Sequence, residues 1–164
     1  MSEPRPIVKD YMTKAVITVK EDEDVYGAIQ TLLNNKISGA PVLDNDNNLV
    51  GILSEKDCLR IFSNGMFHNF PGASVKDYMS KEVLTITPDA DIFTATDILL
   101  NNVFRRMPVV EEDKLLGIIS RRDVLKAIKD AFDDENMQVP HDTVEQKEYL
   151  SQEMKGILGD DGLS

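Results

Sequence analysis

Apolar and polar positions follow each other along the chain in an order that predicts a small mixed fold. A short alternating run at Val16–Val19 predicts a strand. The next apolar residues recur at the spacing of one helix face: Val25, Ala28, Ile29, Leu32 and Leu33. Asp22 or Asp24 is expected to cap that helix. Two further strands, Ala40–Leu43 and Leu49–Leu53, flank the polar turn DNDNN, and a partly apolar helix follows. The predicted order is therefore βαββα.

The chain contains this pattern twice. From Val8 to Pro41, 16 of 34 residues are identical to the residue 67 positions later. After one residue is lost from a turn, LVGILSEKDCL at positions 49–59 matches LLGIISRRDVL at positions 115–125. A match of this length indicates duplication of one structural unit. A unit of about 60 residues would be only marginally stable alone, so we expect the two copies to pack against each other.

Composition places the boundaries of these copies. Repeat 1 is predicted at residues 1–65 and repeat 2 at residues 75–132, with a linker rich in Gly, Asn, Ser and Pro at residues 66–74. Met66, Phe67 and Phe70 suggest that part of the linker packs. Residues 133–164 form an acidic tail, in which Thr143 and Gln146 predict a capped helix over 143–158. Met1–Pro6 are expected to be poorly ordered.

Each copy ends in a short motif that combines a hydroxyl with a carboxylate. GILSEKD runs from Gly51 to Asp57 and GIISRRD from Gly117 to Asp123, each ahead of a predicted helix. The N-terminal end of a helix attracts anions such as phosphate. A carboxylate can accept two hydrogen bonds from a ribose diol. The same spacing also fits an N-capping box that only satisfies the helix start. The residues alone leave both interpretations open.

The doubled βαββα order, with Pro-Val before each hairpin and the glycine–serine–aspartate motif at each last helix, resembles a tandem CBS-domain pair, or Bateman module. The resemblance covers about Ile7–Ala131. It implies an α/β (α+β) fold of two repeats packed about a pseudo-twofold axis. It also implies a stand-alone regulatory module that is not an enzyme, and a homodimer formed through the helical faces. Members of this family bind adenine nucleotides or related adenosyl compounds in clefts between the repeats.

By this resemblance, each cleft combines one serine–aspartate motif with a wall from the opposite repeat. The first cleft is assigned Ile52, Ser54, Lys56, Asp57, Met79, Leu84, Phe104, Arg105 and Arg106. The second cleft is assigned Met12, Ile17, Ile37, Ser38, Ile118, Ser120, Arg122 and Asp123. The two adjacent arginines replace Ser38 and Gly39 of the first copy, so the clefts are expected to differ. Guanidinium groups suit phosphate, although local acids such as Glu111 could pair with them instead.

Charge and cysteine content limit the remaining functions. The net charge is −11, and the tail holds nine acids against two bases, which disfavours nucleic-acid binding. No apolar run approaches the roughly 18 residues of a membrane helix, and the N-terminus lacks a signal pattern. A cytoplasmic protein with its single Cys58 packed and reduced is expected. The tail is expected to have no part in the clefts, since its acids would repel an anionic ligand.

Two function classes remain open on the sequence. The first is a sensor whose ligand is an adenine nucleotide, AMP, ADP or ATP, or another adenosyl compound. The alternative is a ligand-free structural protein that regulates a partner through its fold. No metal and no catalytic cofactor are predicted. The segment at positions 44–55 imitates a calcium loop but has Leu49 where the sharp turn needs glycine.

Overall fold

The computed structural model describes residues 5–63 and 72–133. The predicted packing of Met66, Phe67 and Phe70 and the predicted helix over 143–158 lie outside these residues. Repeat 1 contains α1 (Val8–Tyr11), β1 (Val19–Lys20), α2 (Val25–Asn34), β2 (Gly39–Leu43), β3 (Leu49–Ser54) and α3 (Glu55–Ser63). Repeat 2 contains a 3-10 turn (Val75–Asp77), α4 (Ile92–Leu100), β4 (Arg106–Glu111), β5 (Lys114–Ser120) and α5 (Arg121–Asp133). Both repeats belong to one compact unit that ends at Lys129.

The first long helix of each repeat begins at a capping aspartate. The Asp24 carboxylate accepts a hydrogen bond of 2.8 Å from the backbone N–H of Tyr26, so Asp24 and not Asp22 is the cap. The Asp91 carboxylate accepts one of 2.8 Å from the N–H of Thr94. These bonds satisfy donors that the first helical turn leaves without a partner. The predicted apolar stripe is buried behind them in both copies: Val25, Ala28 and Leu32 in α2, and Ile92, Ala95 and Leu99 in α4.

The first strand is shorter than the alternation predicts. The expected strand at Val16–Val19 is wrong in its extent, because β1 is only Val19–Lys20, paired parallel with β2. In repeat 2 the equivalent pairing is a single bridge between Ile86 and Val109. The backbone just before this segment already pairs with the other repeat, at Thr13. The chain therefore crosses from one sheet to the other over a few residues, and those residues have no strand neighbour of their own.

The two repeats are joined by a pair of matching backbone bridges. Thr13 exchanges both hydrogen bonds with Ile118 of β5, at 2.8 and 2.9 Å. Ser80 exchanges both with Ile52 of β3, at 2.9 Å each. Position 13 corresponds to position 80, and position 52 to position 118, under the repeat alignment. The contacts therefore come in pairs, as a pseudo-twofold relation between the repeats requires.

Each repeat completes the core of the other. Val8, at the start of α1, is fully buried among the core residues of repeat 2, next to Ile92 and Ile119. Val75 is fully buried in the core of repeat 1, which includes Leu53. The segment from residue 7 to residue 13, which the predicted boundary assigns to repeat 1, thus packs on repeat 2. This exchange explains why a duplicated unit of this size is stable.

The glycine of each repeated motif makes room for the exchanged segment. A Cβ atom on Gly51 would lie 2.6 Å from the sulfur of Met79, and one on Gly117 would lie 2.8 Å from the sulfur of Met12 and from the Thr13 carbonyl oxygen. Real Cβ atoms do not approach other atoms this closely. A glycine is required here because the opposite repeat's opening segment crosses directly over the strand.

Candidate functional site

The serine and aspartate of each motif form a reciprocal capping box. In repeat 2, Oδ2 of Asp123 accepts hydrogen bonds from the backbone N–H and the hydroxyl of Ser120, at 2.8 and 2.6 Å. The N–H of Asp123 in turn donates to the hydroxyl oxygen of Ser120 at 3.2 Å. Ser54 and Asp57 repeat this arrangement with the same three distances. The capping interpretation therefore holds in both copies, and it uses one carboxylate oxygen of each aspartate.

The second carboxylate oxygen distinguishes the two copies. Oδ1 of Asp57 accepts long hydrogen bonds from Arg60, at 3.5 Å, and from the hydroxyl of Ser80, at 3.4 Å. The Asp57 residue is only 5% exposed. Asp123 is only partly buried, and its Oδ1 has no hydrogen-bond partner among residues 5–63 and 72–133. Oδ1 of Asp123 is thus available to accept a hydrogen bond from a ligand. Both carboxylate oxygens of Asp57 already accept hydrogen bonds from the protein.

A cavity of about 320 Å³ opens beside Asp123 and lies between the repeats. Its lining residues from repeat 1 are Thr13, Ala15, Val16, Ile17, Ile37 and Gly39. Those from repeat 2 are Arg106, Ile118, Ser120, Arg122 and Asp123. The first group comes from the crossing segment that the strand prediction misassigned and from the start of β2. The cavity lies between the two repeats because the opening segment of repeat 1 packs on repeat 2.

The structure brings together six of the eight residues predicted for the second cleft: Ile17, Ile37, Ile118, Ser120, Arg122 and Asp123. Met12 and Ser38 are not in the cavity wall. Met12 packs against the core of repeat 2, over Gly117. The carbonyl oxygen of Ser38 accepts a hydrogen bond from the N–H of Glu55 at 2.9 Å, which ties it to α3.

Arg106 is placed differently from its sequence-based assignment. The family resemblance assigns it to the cleft of Asp57, but it lines the cavity at Asp123. The register of the second hairpin explains this position, because Arg106 pairs directly with Ser120 across β4 and β5. Arg105, one residue earlier, is exposed and lies outside the cavity wall, while its carbonyl oxygen accepts from the N–H of Arg121 at 2.9 Å. Sequence order alone could not separate these two neighbouring arginines.

Around Asp57 the structure joins fewer of the assigned side chains. Ile52, Ser54 and Asp57 lie together on β3 and α3, with Ser80 bridged to Ile52. The others are distributed over the surface and the two cores. Met79 packs against the core of repeat 1 and Phe104 against that of repeat 2, whereas Leu84 and Lys56 are exposed. Neither Ser80 nor its repeat equivalent Thr13, which lines the cavity at Asp123, was predicted for a cleft.

Two titratable groups outside the cavity, Cys58 and Asp44, have pKa values shifted by their structural surroundings. Burial raises the pKa of the Cys58 thiol, and the charge of Asp57 raises it further. Hydrogen bonds from Asn48 hold the pKa of Asp44 below its usual value, so the calcium-like sequence is a turn closed on itself. Within the part of the chain that the structure describes, no group of three potential ligands is arranged for a metal ion. No helix in that part is long and apolar enough to cross a membrane.

Comparison with known proteins identifies the family. The CBS domain matches residues 8–64 and, a second time, residues 75–130. These stretches cover more than half of the chain, which therefore belongs to the CBS domain family. The predicted family and fold are confirmed.

Two relatives show the range of proteins that contain this unit. The chain is 33% identical over 121 residues to the uncharacterized protein MJ1225 of Methanocaldococcus jannaschii, across 74% of this chain and 42% of that protein. It is 36% identical over 121 residues to the inosine-5'-monophosphate dehydrogenase of the same organism, across 73% of this chain and 23% of the enzyme. The chain thus spans less than half the length of both relatives, and one of them is an enzyme.

A solved structure resembles the fold over most of the chain. It is the crystal structure of CBSX2 from Arabidopsis thaliana in complex with AMP. The two folds agree with a TM-score of 0.68 at 32% identity, over 76% of this chain and 97% of that chain. A CBS pair of the same extent as the two repeats described here therefore binds an adenine nucleotide.

Proposed function

We propose that the chain is a regulatory module that binds an adenine nucleotide in the cavity at Asp123. The observation that carries the proposal is the free Oδ1 of Asp123, which has no partner among the described residues and stands at the wall of the cavity. The cavity volume of about 320 Å³ is at the lower end of the range for small-molecule sites, which suits a mononucleotide. The AMP complex of a similar CBS pair supports the same ligand class.

The chemistry of the cavity wall suggests how such a ligand would lie. Ile17, Ile37 and Ile118 offer aliphatic surface to an adenine ring. Oδ1 of Asp123 can accept a hydrogen bond from a ribose hydroxyl. Arg106 and Arg122 provide two guanidinium groups against the single carboxylate of Asp123, so the wall favours an anionic ligand. A phosphorylated nucleoside therefore fits this wall better than a cationic sulfonium compound.

A thermal shift and calorimetry panel tests the proposal. The intact chain is titrated with AMP, ADP, ATP, S-adenosylmethionine and NAD. A ligand that binds only the folded state stabilises it by about 2.7 kcal/mol at 100 times its Kd, which a melting curve resolves. We expect the largest shifts from the phosphorylated nucleosides. Absence of any shift with millimolar ligand would contradict nucleotide sensing and favour a function in protein association.

A second candidate function is protein association, which the helical surfaces favour. Large apolar side chains are exposed on both helix pairs: Tyr26, Leu33, Leu59 and Phe62 on α2 and α3, and Phe93, Leu100 and Leu125 on α4 and α5. A groove of about 220 Å³ lies between α4 and α5. Exposed apolar side chains grouped in this way are typical of contact surfaces. We propose that a second copy of the chain covers them and forms a homodimer.

Light scattering distinguishes a dimer from a monomer. The wild-type chain is expected to have a dimeric mass at micromolar concentration, and Leu125→Glu is expected to be monomeric, since the charge would be buried without a partner. Val103→Glu is the matched control, because Val103 is 99% exposed and lies outside the helices. A monomeric wild type would exclude the homodimer and leave these faces to a different protein.

A further inference from the structure

The groove between α4 and α5 differs from the equivalent surface of repeat 1 at only a few positions. Its wall is formed by Thr96, Leu99, Leu100, Arg121, Val124, Leu125 and Ile128. Under the repeat alignment the three leucines correspond to leucines of α2 and α3, and Val124 corresponds to Cys58, which is similar in size. The three remaining positions differ in size or in charge. The two helical faces are therefore alike in outline but not identical.

Two of these differences are differences in size. Thr96 and Ile128 line the groove, and the corresponding residues of repeat 1 are Ile29 and Phe62. Phe62 lies on α3 and is 37% exposed, so its ring contributes to the outer surface of repeat 1. Repeat 1 thus carries the larger side chains at the positions where repeat 2 has a groove of about 220 Å³.

The third difference is a reversal of charge. Arg121 corresponds to Glu55, and each is the exposed first residue of the last helix of its repeat. Nη2 of Arg121 donates to the carbonyl oxygens of Leu99 and Asn102, at 3.0 and 3.1 Å. These bonds hold the guanidinium group beside the groove. A guanidinium group has more N–H donors than these two bonds use, so it can also bind a carboxylate.

Resting on the proposed homodimer, we infer that the dimer is antiparallel, so that the α2–α3 face of each copy covers the α4–α5 groove of the other. A twofold dimer pairs either equal faces or these two different faces. Equal faces would leave two grooves facing each other unfilled and would crowd two Phe62 rings together. The antiparallel dimer places the larger side chains of repeat 1 over the groove. It also brings the face that carries Glu55 to the face that carries Arg121.

Cysteine crosslinking distinguishes the antiparallel from the parallel dimer. In a Cys58→Val background, Leu59→Cys labels the α2–α3 face and Leu125→Cys labels the groove. With a short bismaleimide, each variant alone should crosslink weakly. A mixture of the two that has exchanged subunits should give a strong crosslinked dimer. Asp46→Cys is the matched control, because Asp46 is exposed in the turn between β2 and β3, and it should crosslink with neither.

Exchange of the two side chains that differ in size gives an independent test. Phe62→Ile removes the larger side chain and Ile128→Phe fills the groove, so each alone should raise the dimer dissociation constant by about tenfold. The double variant exchanges the two and should return to within about threefold of wild type. In a parallel dimer, Phe62→Ile would relieve the contact between two phenylalanines and would not weaken association. Melting temperatures show whether each variant is folded.

The results distinguish the arrangement of the dimer from its existence. Two outcomes would overturn the antiparallel arrangement while leaving the homodimer intact. One is crosslinking of Leu125→Cys chains with each other as strongly as in the mixture. The other is a folded double variant that associates no more tightly than the single variants. A monomeric wild type in light scattering would overturn the proposed homodimer, and the inference with it.

Discussion

At the scale of single residues, two aspartates with identical capping geometry have different surroundings. The sequence predicts the motif, the helix start and the capping alternative for both, because these depend on residues only three positions apart. It could not predict that Asp57 is 5% exposed with its second oxygen bonded, while the second oxygen of Asp123 has no partner in the described part of the chain. That difference depends on contacts made by Ser80 and Arg60, and the duplicated motif contains neither of them.

This difference predicts opposite effects of the same substitution. Asp123→Ala should reduce nucleotide affinity by about ten- to a hundredfold, which corresponds to the roughly 1.5–3 kcal/mol of a charged hydrogen bond. It should cost about 1 kcal/mol of stability through the lost cap. Asp57→Ala should leave affinity at the Asp123 cleft nearly unchanged but lower the melting temperature more, because Arg60 and Ser80 also lose their hydrogen-bond acceptor. Calorimetry and thermal denaturation of both variants measure the two quantities. Equal losses of affinity would contradict the difference between the clefts.

A second prediction at this scale concerns Cys58. The thiol is 7% exposed, and burial and the neighbouring Asp57 both raise its pKa above the usual value. It should therefore remain protonated and react slowly with a disulfide reagent at pH 8 until the protein unfolds, because the thiolate is the reactive form. Cys58→Val should be tolerated, since Val124 occupies the equivalent buried position in repeat 2. Rapid reaction of the native protein would show that the thiol is accessible.

At the scale of elements, the helices were predicted best and the first strands least well. The apolar spacing and capping aspartates of α2 depend on neighbours within the helix, and the structure confirms them with Asp24 as the cap. The hairpins also agree within one residue at each end with the predicted strands. The run at Val16–Val19 failed because only Val19 pairs in the sheet, whereas Val16 and Ile17 line the cavity. Local periodicity cannot distinguish residues that pair in a sheet from residues that line a cavity.

The helix caps predict a pH dependence. The N–H of Thr94 donates to Asp91 and holds the pKa of that carboxyl below its ordinary value of 3.8. A carboxyl whose pKa is lower in the folded state contributes stability above the unfolded pKa, and this contribution is lost as the pH falls through the folded pKa. Asp91→Asn keeps a good cap but cannot titrate. Wild type should therefore exceed this variant in melting temperature at pH 6, and the difference should shrink below about pH 4. A difference that is constant from pH 6 to pH 2 would contradict the assignment.

At the scale of the whole molecule, the exchange of opening segments makes the two repeats one cooperative structure. The internal sequence match predicts the duplication, and the length of one copy predicts the need for mutual packing. The way in which the copies meet was not predicted, because VKDYM reads as the beginning of its own repeat. Only the three-dimensional fold shows Val8 in the core of repeat 2 and Val75 in the core of repeat 1. The inter-repeat cavity is a direct product of this exchange, since the crossing segment forms its wall.

The exchange predicts that a substitution in the opening segment of one repeat destabilises the hairpin of the other repeat. Val8→Ala removes buried apolar volume from the core of repeat 2 and should cost about 2 kcal/mol, although the substitution lies before all the strands of repeat 1. Hydrogen exchange under native conditions should then show faster exchange in β4 and β5 than in β2 and β3. Val75→Ala should show the reverse pattern, and Val103→Ala, at a residue 99% exposed, should change neither hairpin. Hydrogen exchange by local unfolding becomes faster in the hairpin that has lost core packing. Faster exchange confined to the repeat that carries the substitution in sequence would show that the cores are not exchanged.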